Sequence, residues 1–231
     1  MARILFVMTG ADGWTLTDGT VHPTGYWADE VAVPYESFTS AGHAITVATP
    51  GGVVPPVDPG SLSDESNGGA DQAAHVRAVL EGADELRTPV ALDAVDLAGV
   101  DAIYVPGGHG PMEDLAVDAT SGALLAEALS AGTPLGIVCH GPAALLAAVD
   151  AEGRNVFEGY RITAFTDEEE RLAGTAATAP WLLEQRLVAA GIQVVAGAPF
   201  APHVEVDRTL VTGQNPASSG AVAAELLTHL G

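Results

Sequence analysis

The stretch LGIVCHGPAALLAA, Leu135 to Ala148, contains the only cysteine of the chain. Leu135 to Val138 carry no charge and do not alternate with polar residues, which reads as a strand covered on both faces of a parallel sheet. His140, Gly141 and Pro142 break the run, and Pro142 begins a helix. The order strand, sharp turn, helix puts Cys139 at the carboxyl end of a strand, where open α/β sheets bind ligands. A thiol there either fills core or is a nucleophile on a strained elbow, its pKa lowered by the amides of the following helix terminus. The break and polarity of CHGP favour the nucleophile, because a core position needs neither. His140 poses a geometric problem: consecutive side chains usually diverge, so it meets the thiol only if the turn bends sharply. Otherwise it orients the site from behind, lends its N–H to an oxyanion hole, or caps a helix.

Working outward, ILFVMTG (Ile4 to Gly10) is a second buried strand ending in a turn. A polar loop with Trp14, Tyr26 and Trp27 follows, its aromatic residues giving it reason to pack down. Val31, Tyr35 and Phe38 then lie on one face of a helix that Pro34 allows to begin only around itself. HAITVATP is a strand. Residues 51–69 are rich in Pro, Gly, Ser and Asp, too long for an ordinary connection, and read as a lid-like or flexible insertion at about 51–70. A helix from about Asp71 to Leu80, the strand Ala102 to Val105 opening into GGHG, and a helix near Gly122 to Ala131 lead to the cysteine strand. Beyond it come a short strand ITAF, a capped helix opening with DEEE, the helix PWLLEQRLVAAG led by its proline, strands IQVVAG and TLVTG, and a terminal helix capped by Ser218 or Ser219. The alternation of strands and helices implies an α/β fold with a mostly parallel sheet, as one domain over residues 1–231.

Composition narrows the function. Thirty acidic residues against eight arginines and no lysine give a net charge of -22, which repels phosphate backbones and anionic lipid heads and argues against nucleic-acid and membrane partners. One cysteine excludes a disulfide framework or a several-thiolate metal site. No run approaches the roughly 20 apolar residues of a membrane span, so a cytoplasmic protein is expected.

Three further features bear on chemistry. The glycines of GGHG, Gly107 to Gly110, let backbone N–H groups approach a developing oxyanion, while His109 reads as an orienting side chain rather than a metal ligand. Neither a P-loop nor a GxGxxG motif is present, so nucleotide binding has no support. Glu30, near a helix start beside Trp27, is placed for partial desolvation and a proton held near neutral pH. The carboxylates of DEEE, Asp167 to Glu170, read otherwise as an acidic helix start.

Together ILFVMTG, GYWADEVAVPYESFTSAGHAITVATPGG, DAIYVPGGHGPMEDL, GIVCHGPAALL, RITAFTDEEE and LVTGQNPASS resemble the DJ-1/PfpI superfamily, and within it the Hsp31-like branch that includes glutathione-independent glyoxalases. The resemblance covers most of the chain. It implies a flavodoxin-like three-layer sandwich with a nucleophile elbow and a homodimer. It implies Cys139 as nucleophile with His140 as its partner, Glu30 as a protonated glutamate, and Glu170, or neighbouring Glu168, as the acid orienting the histidine. The N–H groups of Gly108 and His140 would bind the oxyanion. The implied activity converts the small dicarbonyl methylglyoxal to lactate through a cysteine hemithioacetal, as a D-lactate dehydratase, with no metal or organic cofactor. The alternatives it leaves are a cysteine-dependent amidase, peptidase or protein deglycase, and a stress-response chaperone or oxidation sensor.

Overall fold

Ile4, Phe6 and Met8 pack on one side of a sheet while Leu5 and Val7 pack on the other, and all five are buried. Burial on both faces is why the apolar runs do not alternate. The computed structural model describes residues 1–230. In chain order the elements are β1 (Arg3–Val7), β2 (Gly13–Thr15), β3 (Val21–Pro23), α1 (Ala28–Ser40), β4 (Ala44–Thr49), α2 (Ala70–Gly82), β5 (Val90–Ala91), β6 (Ala102–Val105), α3 (Gly110–Glu113), α4 (Ala119–Ala131), β7 (Leu135–Val138), β8 (Arg161–Ile162), α5 (Asp167–Ala173), α6 (Leu183–Ala189), β9 (Gln193–Val194), β10 (Val204–Asp207), β11 (Leu210–Gly213) and α7 (Ser219–Leu230).

The main sheet has the order β10-β11-β7-β6-β1-β4-β5, parallel throughout except for the antiparallel β10–β11 pair. Val31 and Phe38 of α1 and Val222 and Leu226 of α7 cover one face. Leu125 and Ala128 of α4, Leu183 and Leu187 of α6 and the 3-10 turn Gly141–Ala147 cover the other. This is the flavodoxin-like α/β sandwich. The carboxyl ends of β1, β6, β7 and β11 lie side by side, so loops remote in sequence meet there. Among the described residues, no helix is long and apolar enough to cross a membrane.

Helix α1 begins at Ala28, not around Pro34, and the correction matters because it takes in Glu30. Proline has no N–H to give the carbonyl four residues back, so the Glu30 carbonyl is left for another donor. Tyr104 of β6 supplies it, its Oη donating to the Glu30 carbonyl oxygen over 2.9 Å. The sheet thus holds the helix at the residue whose side chain enters the site.

The loop after β1 forms the hairpin β2–β3, with Trp14 and later Tyr26 buried. The 51–69 segment is entered through the 3-10 turn Pro50–Gly52 and contains a second, Pro59–Leu62. It packs on the chain beside Tyr26: the Tyr26 N–H donates to the Pro56 carbonyl, the Asp58 N–H to the Tyr26 carbonyl, and Thr24 Oγ1 to Asp58. Gly25 permits this layering, since a Cβ there would lie 2.0 Å from the Pro56 oxygen.

Other expectations need smaller corrections. Helix α6 starts at Leu183, after Pro180, and only Ile162 of ITAF lies in a strand. The Ser218 hydroxyl accepts from the His203 N–H and that of Ser219 donates to the Pro216 carbonyl, so neither serves as the expected cap.

Replacing Tyr104 by Phe leaves the buried Glu30 carbonyl without a donor. Tyr104→Phe is expected to cost about 1–3 kcal/mol in urea unfolding; an unchanged midpoint would show the tie to be dispensable.

Candidate active site

Cys139 follows β7 with φ at 60°, in the left-handed region that non-glycine residues seldom occupy. Its N–H donates to the Gly213 carbonyl and its own carbonyl accepts from the Phe165 N–H, each over 2.9 Å, so the strained residue is pinned from both sides. The surrounding backbone also needs glycine. A Cβ on Gly107 would lie 2.5 Å from the His140 nitrogen, and one on Gly141 would lie 2.6 Å from the Val105 oxygen. The bend is sharp enough to overcome the divergence of adjacent side chains. His140 Nδ1 lies 3.3 Å from Cys139 Sγ.

Helix α5 resolves the choice within DEEE. Thr166 and Glu169 form a capping box, with the Thr166 Oγ1 accepting from the Glu169 N–H and the Glu169 carboxylate from the Thr166 N–H. Glu169 also accepts from the Phe200 N–H and Asn215 Nδ2, so it is a buried structural knot. Glu168 points outward to Arg171. Glu170 turns inward, its Oε2 lying 2.8 Å from His140 Nε2. With a carboxylate at Nε2, the imidazole carries its proton there and leaves Nδ1 free toward the thiol. Phe165 packs on the His140 ring with centroids 4.4 Å apart.

The structure adds a partner that no local spacing revealed: His109 Nε2 lies 2.8 Å from the other oxygen of Glu170. GGHG at the end of β6 signalled proximity to Cys139 at the end of β7, but not the intervening carboxylate. The possible ligand atoms of His109, His140 and Glu170 all lie within 4.8 Å of one another, a set that could hold a metal ion. In the structure the Nε2 atom of each imidazole is engaged by the carboxylate.

Glu30 enters from the opposite side. Its carboxyl is fully buried, Oε2 accepting from the Gly107 N–H over 2.6 Å and Oε1 having no hydrogen-bond partner. Burial, and then the charge of Asp29, push this carboxyl well above the usual range, against the opposing pull of the Cys139 thiol and the Gly107 N–H. Asp29 itself is pushed up to about 6 by burial. Burial and then the Glu30 charge also push the Cys139 thiol up, although the N–H groups of Gly108 and His140 favour the thiolate. The expectation of a thiol lowered by nearby amides is therefore corrected: the amides are present but desolvation and a neighbouring carboxyl outweigh them. Both groups are thus shifted toward their uncharged forms, and Oε1 is the carboxyl oxygen without a hydrogen-bond partner.

Across the thiol, the balance differs. Burial opposes ionisation of Glu170, but the proximity of His140 and the hydrogen bonds from His109 and His140 hold it well below the carboxylate range. Gly108, at φ 89°, has its nitrogen beside the thiol, and a Cβ there would meet the Gly25 oxygen at 2.3 Å. The site thus combines a thiol, an imidazole paired with a carboxylate, two backbone amides and a buried carboxyl. Cys139 is only 4% exposed, which restricts what can reach it.

A model of the DJ-1/PfpI family matches residues 24–229. The chain is 33% identical over 192 residues to the glutamine amidotransferase-like class 1 domain-containing protein 1 of Bos taurus, covering 83% of this chain and 82% of that protein. It is 28% identical over 242 residues to the protein/nucleic acid deglycase HchA of Pseudomonas aeruginosa, covering 97% of this chain and 80% of that one. With the glutathione-independent glyoxalase hsp3101 of Schizosaccharomyces pombe it shares 27% identity over 229 residues, covering 96% and 93%.

Because Cys139 is the chain's one thiol, its ionisation can be followed by thiolate absorbance near 240 nm. Glu30→Gln removes the ionisable carboxyl beside the thiol and is expected to move that transition to lower pH by about one unit or more; an unmoved midpoint would show that the carboxyl and thiol are not coupled.

Proposed function

Since the chain belongs to the DJ-1/PfpI family, we propose that it is a cysteine-dependent enzyme acting on small 2-oxoaldehydes, free or as their adducts, with free methylglyoxal converted to lactate as the first reading. The observation that carries it is the placement of the thiol between two dissimilar proton carriers, His140 paired with Glu170 on one side and Glu30 with its unpartnered oxygen on the other.

The steps follow from those positions. His140 Nδ1 takes the thiol proton as Cys139 Sγ adds to the aldehyde carbon, and Glu170 balances the imidazolium. The new oxyanion is held by the N–H groups of Gly108 and His140 and receives the Glu30 proton, giving a neutral hemithioacetal. Glu30, now a carboxylate, removes the proton from the same carbon to form an enediolate and returns it to the adjacent carbon, while the hemithioacetal hydroxyl proton moves to the neighbouring oxygen. The product at this stage is a lactoyl thioester. Water hydrolyses it: its hydroxyl joins the acyl carbon, its remaining proton restores Glu30 to the acid, and the proton on His140 returns to the departing sulfur. Overall, one water is added to methylglyoxal and no electrons enter or leave, so neither glutathione nor a redox partner is consumed.

A second reading uses the same first step on a carbonyl already attached to an amine or thiol. The deglycase name of the Pseudomonas relative, aligned over nearly the whole of this chain, favours it. The burial of Cys139 favours the free dicarbonyl, because a protein-borne adduct has to deliver its carbon past the cover of the site.

Purified protein is expected to form lactate from methylglyoxal without glutathione. Cys139→Ser should abolish turnover, and Glu30→Gln should lower kcat by about 100-fold or more; lactate formation no faster than with Cys139→Ser would overturn the reading. Presented with methylglyoxal preformed as an adduct of N-acetylarginine, an enzyme for free dicarbonyl can go no faster than spontaneous release. Turnover exceeding that rate would establish the deglycase reading instead.

A further inference from the structure

The His109 ring lies over His140, with centroids 4.3 Å apart, yet the two imidazoles do not bond to each other. Each takes one oxygen of Glu170, at 2.8 Å. A carboxylate claimed by one imidazole can swing about its own side-chain bonds. One claimed by two is fixed in plane and in direction. Thr175 Oγ1, from the turn after α5, donates to the oxygen that His109 holds and closes the clamp.

His109 is itself held on its other face. Trp14 of β2 stacks on it with centroids 4.6 Å apart and planes within 13°, and His22 of β3 meets its edge at 6.2 Å. Its backbone follows Gly108, whose positive φ turns the chain into the short helix α3. The hairpin β2–β3 therefore has a place in the site although it gives no group to the thiol. It presses an imidazole against the acid that orients the base.

From this geometry we propose that His109 is a positioning residue: donating from Nε2 to Glu170, it fixes the carboxylate so that His140 stays in the Nε2–H tautomer with Nδ1 facing Cys139 Sγ. The inference rests on the reading of Cys139 as nucleophile and His140 as its base.

Two variants separate positioning from packing. His109→Gln keeps an amide N–H with reach to Glu170, whereas His109→Phe keeps an aromatic ring against Trp14 and removes the donor. With methylglyoxal, His109→Phe is expected to lower kcat about 10- to 100-fold with KM within about twofold, and His109→Gln to recover most of the loss. Long-range proton–nitrogen NMR of the labelled protein supplies a readout independent of turnover. Wild type and His109→Gln should show His140 as one Nε2–H tautomer, and His109→Phe a mixture. A folded His109→Phe protein that keeps the single tautomer would overturn the proposal, whatever its activity. If the tautomer responds as expected while no variant forms lactate, the positioning stands and the proposed substrate falls.

Discussion

The left-handed turn at Cys139 is the constraint on which the rest of the site depends. A non-glycine residue in this region costs on the order of 1–2 kcal/mol, so it persists only where neighbours over-determine it. Here they do so by β-sheet logic: β11 accepts the Cys139 N–H, and Phe165 donates to its carbonyl, as though the strand had continued through the bend. The bend then gives what an extended strand cannot, two successive side chains meeting at 3.3 Å. It also makes the absence of a side chain at Gly107 and Gly141 a requirement, because backbone passes through the space a Cβ would fill.

Around that turn, the two sides of the thiol are built in opposite electrostatic senses. On one, Glu170 is surrounded by donors and stays ionised. On the other, burial and then the neighbouring carboxyl of Asp29 push Glu30 up, with one N–H donor against them and one oxygen without a partner. Two glutamates within one small site are thus driven apart in pKa, one by burial and a like-charged neighbour, the other by His140 and the donors aimed at it. Such separation is how two chemically identical groups come to serve as an ion and as an acid.

Much of this was legible in the sequence where the signal is local. Apolar runs without alternation identified β1, β6 and β7, and LGIVCHGP identified the elbow, because both are stated within a few consecutive residues. Glu30 stood out by its place near a helix start beside Trp27, and the family resemblance gave it a role and supplied Glu170, which spacing alone does not select from thirty carboxylates. What escaped depends on long-range company. Pro34 looked like a helix start because the compensating donor, Tyr104, lies some seventy residues on. The thiol looked acidified because the amides are local and the desolvating cover is not. His109 met Glu170 only through the fold. β10, four residues at the sheet edge with one buried side chain, left no pattern strong enough to read.

The adjacency of Cys139 and His140 has a consequence for how such a site can diversify. Because they share one peptide unit, thiol and imidazole travel together through any shift of helices or loops. Glu30 arrives on α1 and Glu170 on α5, two elements on different supports. Changes in α1 or its tether can retune the Glu30 carboxyl without touching the thiol–imidazole pair, and changes around α5 or the hairpin can retune the imidazole without touching Glu30. A single scaffold can therefore vary the surroundings of its two carboxyl groups as separate inheritable traits, while the thiol–imidazole pair stays the same.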